Sequence, residues 1–157
     1  FIGAVENPFA PPFEYRPIRL AKKVLAGAQF IQTQLIYNVA RFREFMRRVV
    51  DMGLHEKVYI LAGVGPIRSL RVAEYMAKEV AGMEIPESVI ERFRPLSKED
   101  QEKLGIDLAC EIAQQVREIE GVAGLHIMAV SWPAAVPKVA SNLGLYPRPV
   151  ITEPVAA

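Results

Sequence analysis

The chain has 157 residues, 19 basic against 18 acidic side chains, 51% hydrophobic and 24% charged, the balance of an ordinary globular domain rather than a disordered one. Its net charge of +1 gives no field to steer nucleic acid or an acidic membrane, and no apolar run approaches the ~18 residues of a spanning helix. One cysteine excludes an internal disulfide, and with two histidines it cannot make a zinc cluster, so the compartment reads as reducing and cytoplasmic. Phe1 stands where a methionine would start a gene, and no charged segment precedes an apolar one. The expectation is a chain cut from something longer, not a signal peptide.

Phe1 to Val5 reads as a short buried strand, ending at Glu6-Asn7-Pro8 and a stiff loop, Phe9-Ala10-Pro11-Pro12. Pro17 opens a helix with Leu20, Val24 and Leu25 as its apolar stripe, and Gly27 stops it. Phe30 to Ile36 is the second strand, and Val39 to Met52 restores helical spacing through Phe42, Phe45, Met46, Val49 and Val50. The alternation repeats with Val58 to Leu61, the turn Ala62-Gly63-Val64-Gly65-Pro66, and a helix from Ser69 to Val80. Ile85-Pro86 starts a short helix to Phe93, and Ser97 with Asp100 resembles a capping box for a long helix ending at Gly121. Leu125 to Val130 is read as the fourth strand and 134–143 as the last helix, with 146–157 a loose tail.

Strands alternating with helices argue for parallel βαβ units, either in an open doubly wound sheet or in a (βα)8 barrel. Gly63-Val64-Gly65-Pro66 lacks the third glycine of a dinucleotide fingerprint and carries proline where an amide donor would serve. The fold class is therefore α/β, a (βα)8 TIM barrel of which residues 1–145 cover about the last four βα units.

Strand alternation puts Phe30, Gln32 and Gln34 on one face and Ile31, Thr33 and Leu35 on the other. The glutamine face points into the barrel, with Gln34 near the carboxyl end where barrel enzymes bind ligands. The bland alternative is that the amides bond one another across the lumen. Gly63 and Gly65 stand at a strand mouth, either to admit a flat ligand or to make a tight turn. Arg16, Arg19, Lys22 and Lys23 form a basic helix start, a solvated face or a diphosphate site. His126 is placed early in its strand, away from the mouth, as a structural residue, and His55 falls in a loop. Cys110 flanks an apolar stripe and reads as packing.

Arg19-Leu20-Ala21-Lys22-Lys23-Val24-Leu25-Ala26-Gly27-Ala28 followed by Phe30-Ile31-Gln32-Thr33-Gln34 resembles the methylenetetrahydrofolate reductase family. Gly3-Ala4-Val5-Glu6-Asn7-Pro8, Leu61-Ala62-Gly63-Val64-Gly65-Pro66-Ile67 and Ile85-Pro86 are similar to its other segments in the same order. The proline-rich loop and Leu54-His55-Glu56-Lys57 mark a divergent prokaryotic branch.

The resemblance implies FAD at the carboxyl face of the barrel and reduction of 5,10-methylenetetrahydrofolate, or a related pterin carrier, to its 5-methyl form. The hydride comes from a reduced nicotinamide or another donor. Gln34 corresponds to the family's pterin contact, and Asn7, Arg19, Lys22 and Lys23 map to its flavin contacts. Trp132 stands where many members carry an arginine for the folate tail; it can stack on the aminobenzoyl ring but cannot neutralise a carboxylate. The family's acidic proton donor lies in the first strands, so no catalytic acid is named within this chain. The competing expectations are an unrelated phosphate-binding barrel enzyme, or a non-catalytic paralogue or accessory subunit. The chain is expected to work as a homo-oligomer or in such a complex, without nucleic acid or membrane.

Overall fold

Ile31, Thr33 and Leu35 are buried while Phe30, Gln32 and Gln34 are half-buried, the period-two pattern of a strand with one covered face. The computed structural model describes residues 1–148. It places that strand, β2 (Phe30–Leu35), in a four-stranded parallel sheet with β1 (Gly3–Glu6), β3 (Tyr59–Val64) and β4 (Val122–Ile127), in the order β1-β2-β3-β4. Helix α1 (Arg16–Leu25) follows β1 through a 3-10 turn, and α2 (Val39–Asp51) links β2 to β3. Three helices, α3 (Leu70–Glu79), α4 (Glu87–Glu91) and α5 (Lys98–Arg117), separate β3 from β4. The last helix is α6 (Val136–Asn142). Of the expected tail, residues from 149 onward lie outside the described part of the chain.

The helices bury one sheet face. Ile31, Leu35, Ile60, Ala62 and Val64 from the strands join Leu20 of α1, Phe42, Met46 and Val49 of α2, Ala73 of α3, and Ala113 and Val116 of α5 in one core. Burying each large aliphatic side chain contributes about 1.5–3 kcal/mol before chain entropy is charged against it. Caps set the helix starts: Asn38 accepts from the Arg41 amide at 3.0 Å, and Ser97 accepts from the Asp100 amide at 3.2 Å, as the capping pattern foretold. Gly105 of α5 lies against the backbone of Ile67, so close that a Cβ there would overlap the Ile67 carbonyl.

Among the described residues no helix lies on the opposite sheet face. Val5 is 69% exposed and Tyr59 63%, and Phe1 stacks on Phe30 at 5.5 Å with its own ring 84% exposed. Three strands differ from the sequence reading: β1 spans Gly3–Glu6 rather than Phe1 to Val5 and is not a buried strand, since Phe1, Ile2 and Val5 lie exposed. β3 runs on through Ala62, Gly63 and Val64, which had read as turn, and β4 begins three residues earlier than Leu125 and ends at Ile127. Glycines hid both: Gly63 sits inside β3, and Gly121 and Gly124 dilute the start of β4. Leu25, assigned to the α1 stripe, is 88% exposed at the helix end.

Candidate functional site

The carboxyl ends of the strands surround a cavity of about 330 Å³, lined by Val5, Glu6, Asn7, Gln32, Thr33, Gln34, His126 and Met128. Three strand spacings of about 4.8 Å separate β1 from β4 in a flat sheet. Both edge strands contribute to this one cavity.

Gln34 owes its position to a bulge. Gln32 pairs with Leu61 but Leu35 pairs with Gly63, so β2 advances three residues while β3 advances two. The Thr33 hydroxyl repairs the interrupted ladder, accepting from the Gly63 amide at 2.8 Å and donating to the Gln34 carbonyl at 2.9 Å. A Cβ on Gly63 would meet the Thr33 and Gln34 carbonyls at 2.6 and 2.7 Å, and one on Gly65 would overlap the Met128 carbonyl. Both glycines thus serve close backbone approach rather than the tight turn or the open ligand platform considered from the sequence. The Gln34 side-chain carbonyl accepts from the Leu35 amide at 2.9 Å. What Gln34 presents to the cavity is therefore chiefly its NH2 group, a donor.

The basic residues of α1 are more committed than a solvated face would be. Lys23 donates to the carboxylate of Glu6 and to the Val5 carbonyl, and Glu6 is only 3% exposed. Arg16 donates to the Ala10 and Pro11 carbonyls, with its guanidinium 3.9 Å from Glu6. Lys22 donates to the Tyr15 hydroxyl at 2.7 Å, and that hydrogen bond, with the charge behind it, holds the phenol below its ordinary pKa. Asn7 is occupied too, accepting from the Phe9 amide and donating to the Gly82 carbonyl, each at 3.0 Å. Arg19, Lys22, Lys23, Tyr15 and Ala26 line a second cavity of about 420 Å³. Glu6 lines the first cavity and Lys23 the second, so their ion pair joins the two.

Trp132 is buried, with the Arg68 guanidinium 5.7 Å above its ring, and it does not line the Gln34 cavity. His126 corrects the sequence reading: because β4 starts at Val122, it is the fifth of six strand residues and belongs to the mouth, not the far end. Glu6 had been read only as a strand end. Its signal was a carboxylate closing an apolar strand, with lysines on the next helix. Cys110 is buried, and burial raises its thiol pKa, as suits packing. Among the described residues no group of three or more His, Cys, Asp or Glu is placed to hold a metal, and no helix is long and apolar enough to cross a membrane.

Consecutive βα units on a parallel sheet, helices on one face and polar side chains gathered at the carboxyl mouth define an α/β protein with a ligand-type cavity. The family model for methylenetetrahydrofolate reductase matches residues 7–144, and the chain belongs to that family. A probable methylenetetrahydrofolate reductase (NADPH) of Caenorhabditis elegans is 24% identical over 142 residues, 89% of this chain and 21% of the relative. Methylenetetrahydrofolate reductase 1 of Schizosaccharomyces pombe is 28% identical over 128 residues, again 21% of its length. The chain thus spans about a fifth of these relatives. Among solved structures, a Clostridium thermocellum protein that binds two copies of 5-methyl-5,6,7,8-tetrahydrofolic acid shares the fold. Its TM-score is 0.68 at 19% identity, over 88% of this chain and 50% of that one.

Proposed function

We propose that this chain supplies the last four βα units of an eight-unit barrel whose mouth binds a pterin. The reaction is the flavin-dependent reduction of 5,10-methylenetetrahydrofolate, or a related one-carbon carrier, to the 5-methyl form. Family membership and a folate-binding neighbour of the same fold support the substrate class. The uncovered sheet face supports the barrel, since Val5, Tyr59 and the Phe1–Phe30 stack need apolar cover. The observation that carries the site is Gln34, set by the bulge at the carboxyl mouth with its amide NH2 free to pair with a ring acceptor.

The residues present fit FAD. Arg19 and Lys22, with the remaining N–H of Lys23, offer charge-assisted donors for a diphosphate along the second cavity. Asn7 shapes the loop beside it through its two backbone bonds. Bound there, FAD would supply hydride transfer, with the electrons drawn from a reduced nicotinamide or another donor. The chain's own part is to orient the pterin edge through Gln34 and to hold the mouth in shape through Glu6 and Lys23. Trp132 enters only as the platform beneath Arg68.

Gln34→Glu keeps size but turns a donor into an acceptor facing the pterin. In the complete protein, flavin reduction by its donor should survive, while reoxidation by methylenetetrahydrofolate should need several-fold to a hundredfold more folate, the effect of losing about 1–3 kcal/mol of pairing. Stopped-flow measurement of the two half-reactions reads this directly. Reoxidation with wild-type rate and folate dependence would return Gln34 to a packing role.

A further inference from the structure

His126 sits on β4 opposite Gly63, which lies between it and the β2 bulge that carries Gln34. The parity is that of the open face: Leu125 and Ile127 pair with Ala62 and Val64, whose side chains join the core, and by alternation His126 and its partner Gly63 have the opposite parity. Gly63 carries no side chain, and the space a Cβ would take there is filled by the Thr33 and Gln34 backbone, which brings the bulge close against β3. Gln34 and His126 line one cavity together.

The imidazole is not held by an internal hydrogen bond. Its Nδ1 is buried with no partner among the described residues. A buried acceptor left unpaired is tolerated more readily than a buried N–H left unpaired, which favours the tautomer with the proton on Nε2. In that tautomer Nε2–H is a donor at the same cavity as the Gln34 NH2. His55 has an unpartnered Nδ1 as well, but it packs against Gly121 at the amino end of β4, away from any such donor set. Two donors lining one cavity suit a planar fused heterocycle with carbonyl oxygens and ring nitrogens along one edge.

We infer that His126 is a ligand-contacting and specificity-determining residue of the mouth cavity, donating from Nε2 to an acceptor on the edge of a planar heterocycle. The inference rests on the reading of the Gln34 cavity as a ligand site. The pterin of a tetrahydrofolate and the isoalloxazine of FAD share the required acceptor edge, and the two arms of the test separate them.

The complete protein is titrated with 5-methyltetrahydrofolate by calorimetry and, stripped of flavin, with FAD by fluorescence. His126→Leu should weaken one of the two about 3- to 10-fold, identifying the ring it meets, as expected for one lost hydrogen bond. His126→Gln, whose amide nitrogen reaches near the position of Nε2, should recover affinity to within about 3-fold. If His126→Leu binds both ligands as wild type does while Gln34→Glu loses 5-methyltetrahydrofolate, the inference fails and the site stands. If Gln34→Glu also binds unchanged, both fail. Nitrogen-15 NMR of the wild-type imidazole gives a readout independent of folding of the Leu variant. An Nε2–H tautomer whose Nε2 resonance moves on ligand addition supports the contact, and an Nδ1–H tautomer or an unmoved resonance overturns it.

Discussion

Lys23→Met is expected to destabilise the protein by about 3–5 kcal/mol, because it strands the Glu6 carboxylate without its principal cation. Glu6 is 3% exposed, and a carboxylate so placed must be paired to be tolerated. Arg16, at 3.9 Å, is too distant to replace the contact that Lys23 makes. Combining Lys23→Met with Glu6→Gln removes the stranded charge, so the double variant should be more stable than Lys23→Met alone. Urea-unfolding midpoints of the four proteins in the cycle test this; strictly additive losses would show that the pair is not coupled. The same logic governs tests of flavin binding. Loss of FAD from a Lys23 variant would follow from a collapsed Glu6 as well as from a missing diphosphate contact. Arg19→Ala, which breaks no ion pair recorded among the described residues, is the cleaner probe.

Gly105→Ala should destabilise by about 2–3 kcal/mol, although the same exchange in an ordinary helix interior stabilises by about 1 kcal/mol. The sign reverses because the new Cβ would overlap the Ile67 carbonyl, and backbone cannot swing aside as a flexible side chain can. Moving α5 away would open the core at Ala109, Ile112, Ala113 and Val116, all buried against the sheet. Thermal unfolding of the complete protein decides it: a raised or unchanged midpoint would mean that α5 slides without loss.

The alternation of elements was legible because period-two and period-3.6 patterns depend on which face is buried, and here one sheet face is covered by helices along its whole length. The Phe30 to Leu35 parity and the glutamine face follow directly from that, and the Ser97 helix start was legible separately, from its capping pattern with Asp100. Positions governed by backbone approach were not legible. Gly63 read as turn because nothing local tells a glycine excluded by a neighbouring strand's carbonyls from one needed for a bend. The misplacement of β4 came from the same source and carried His126 to the wrong end of its strand. Lys23 read as a free cation because its partner lies 17 residues back on another element. Charge counting along one helix face cannot see an ion pair that depends on where β1 ends.

The hydroxyl of Thr33 has a consequence for which sequences can occupy this fold. It is a side chain standing in for a main-chain carbonyl, receiving the Gly63 amide and passing a hydrogen bond on to Gln34. Valine matches its shape but would leave a buried amide without an acceptor, so the two are not interchangeable here. Serine keeps the hydroxyl but gives up the methyl group and the β-branch that suit a strand. Two steps away, Ile31 sits on the same face with no polar duty, and any aliphatic residue of similar volume would fill its place. Variation along β2 should therefore be confined to aliphatic residues at 31 and nearly forbidden at 33, with the freedom to retune ligand preference displaced onto 32 and 34.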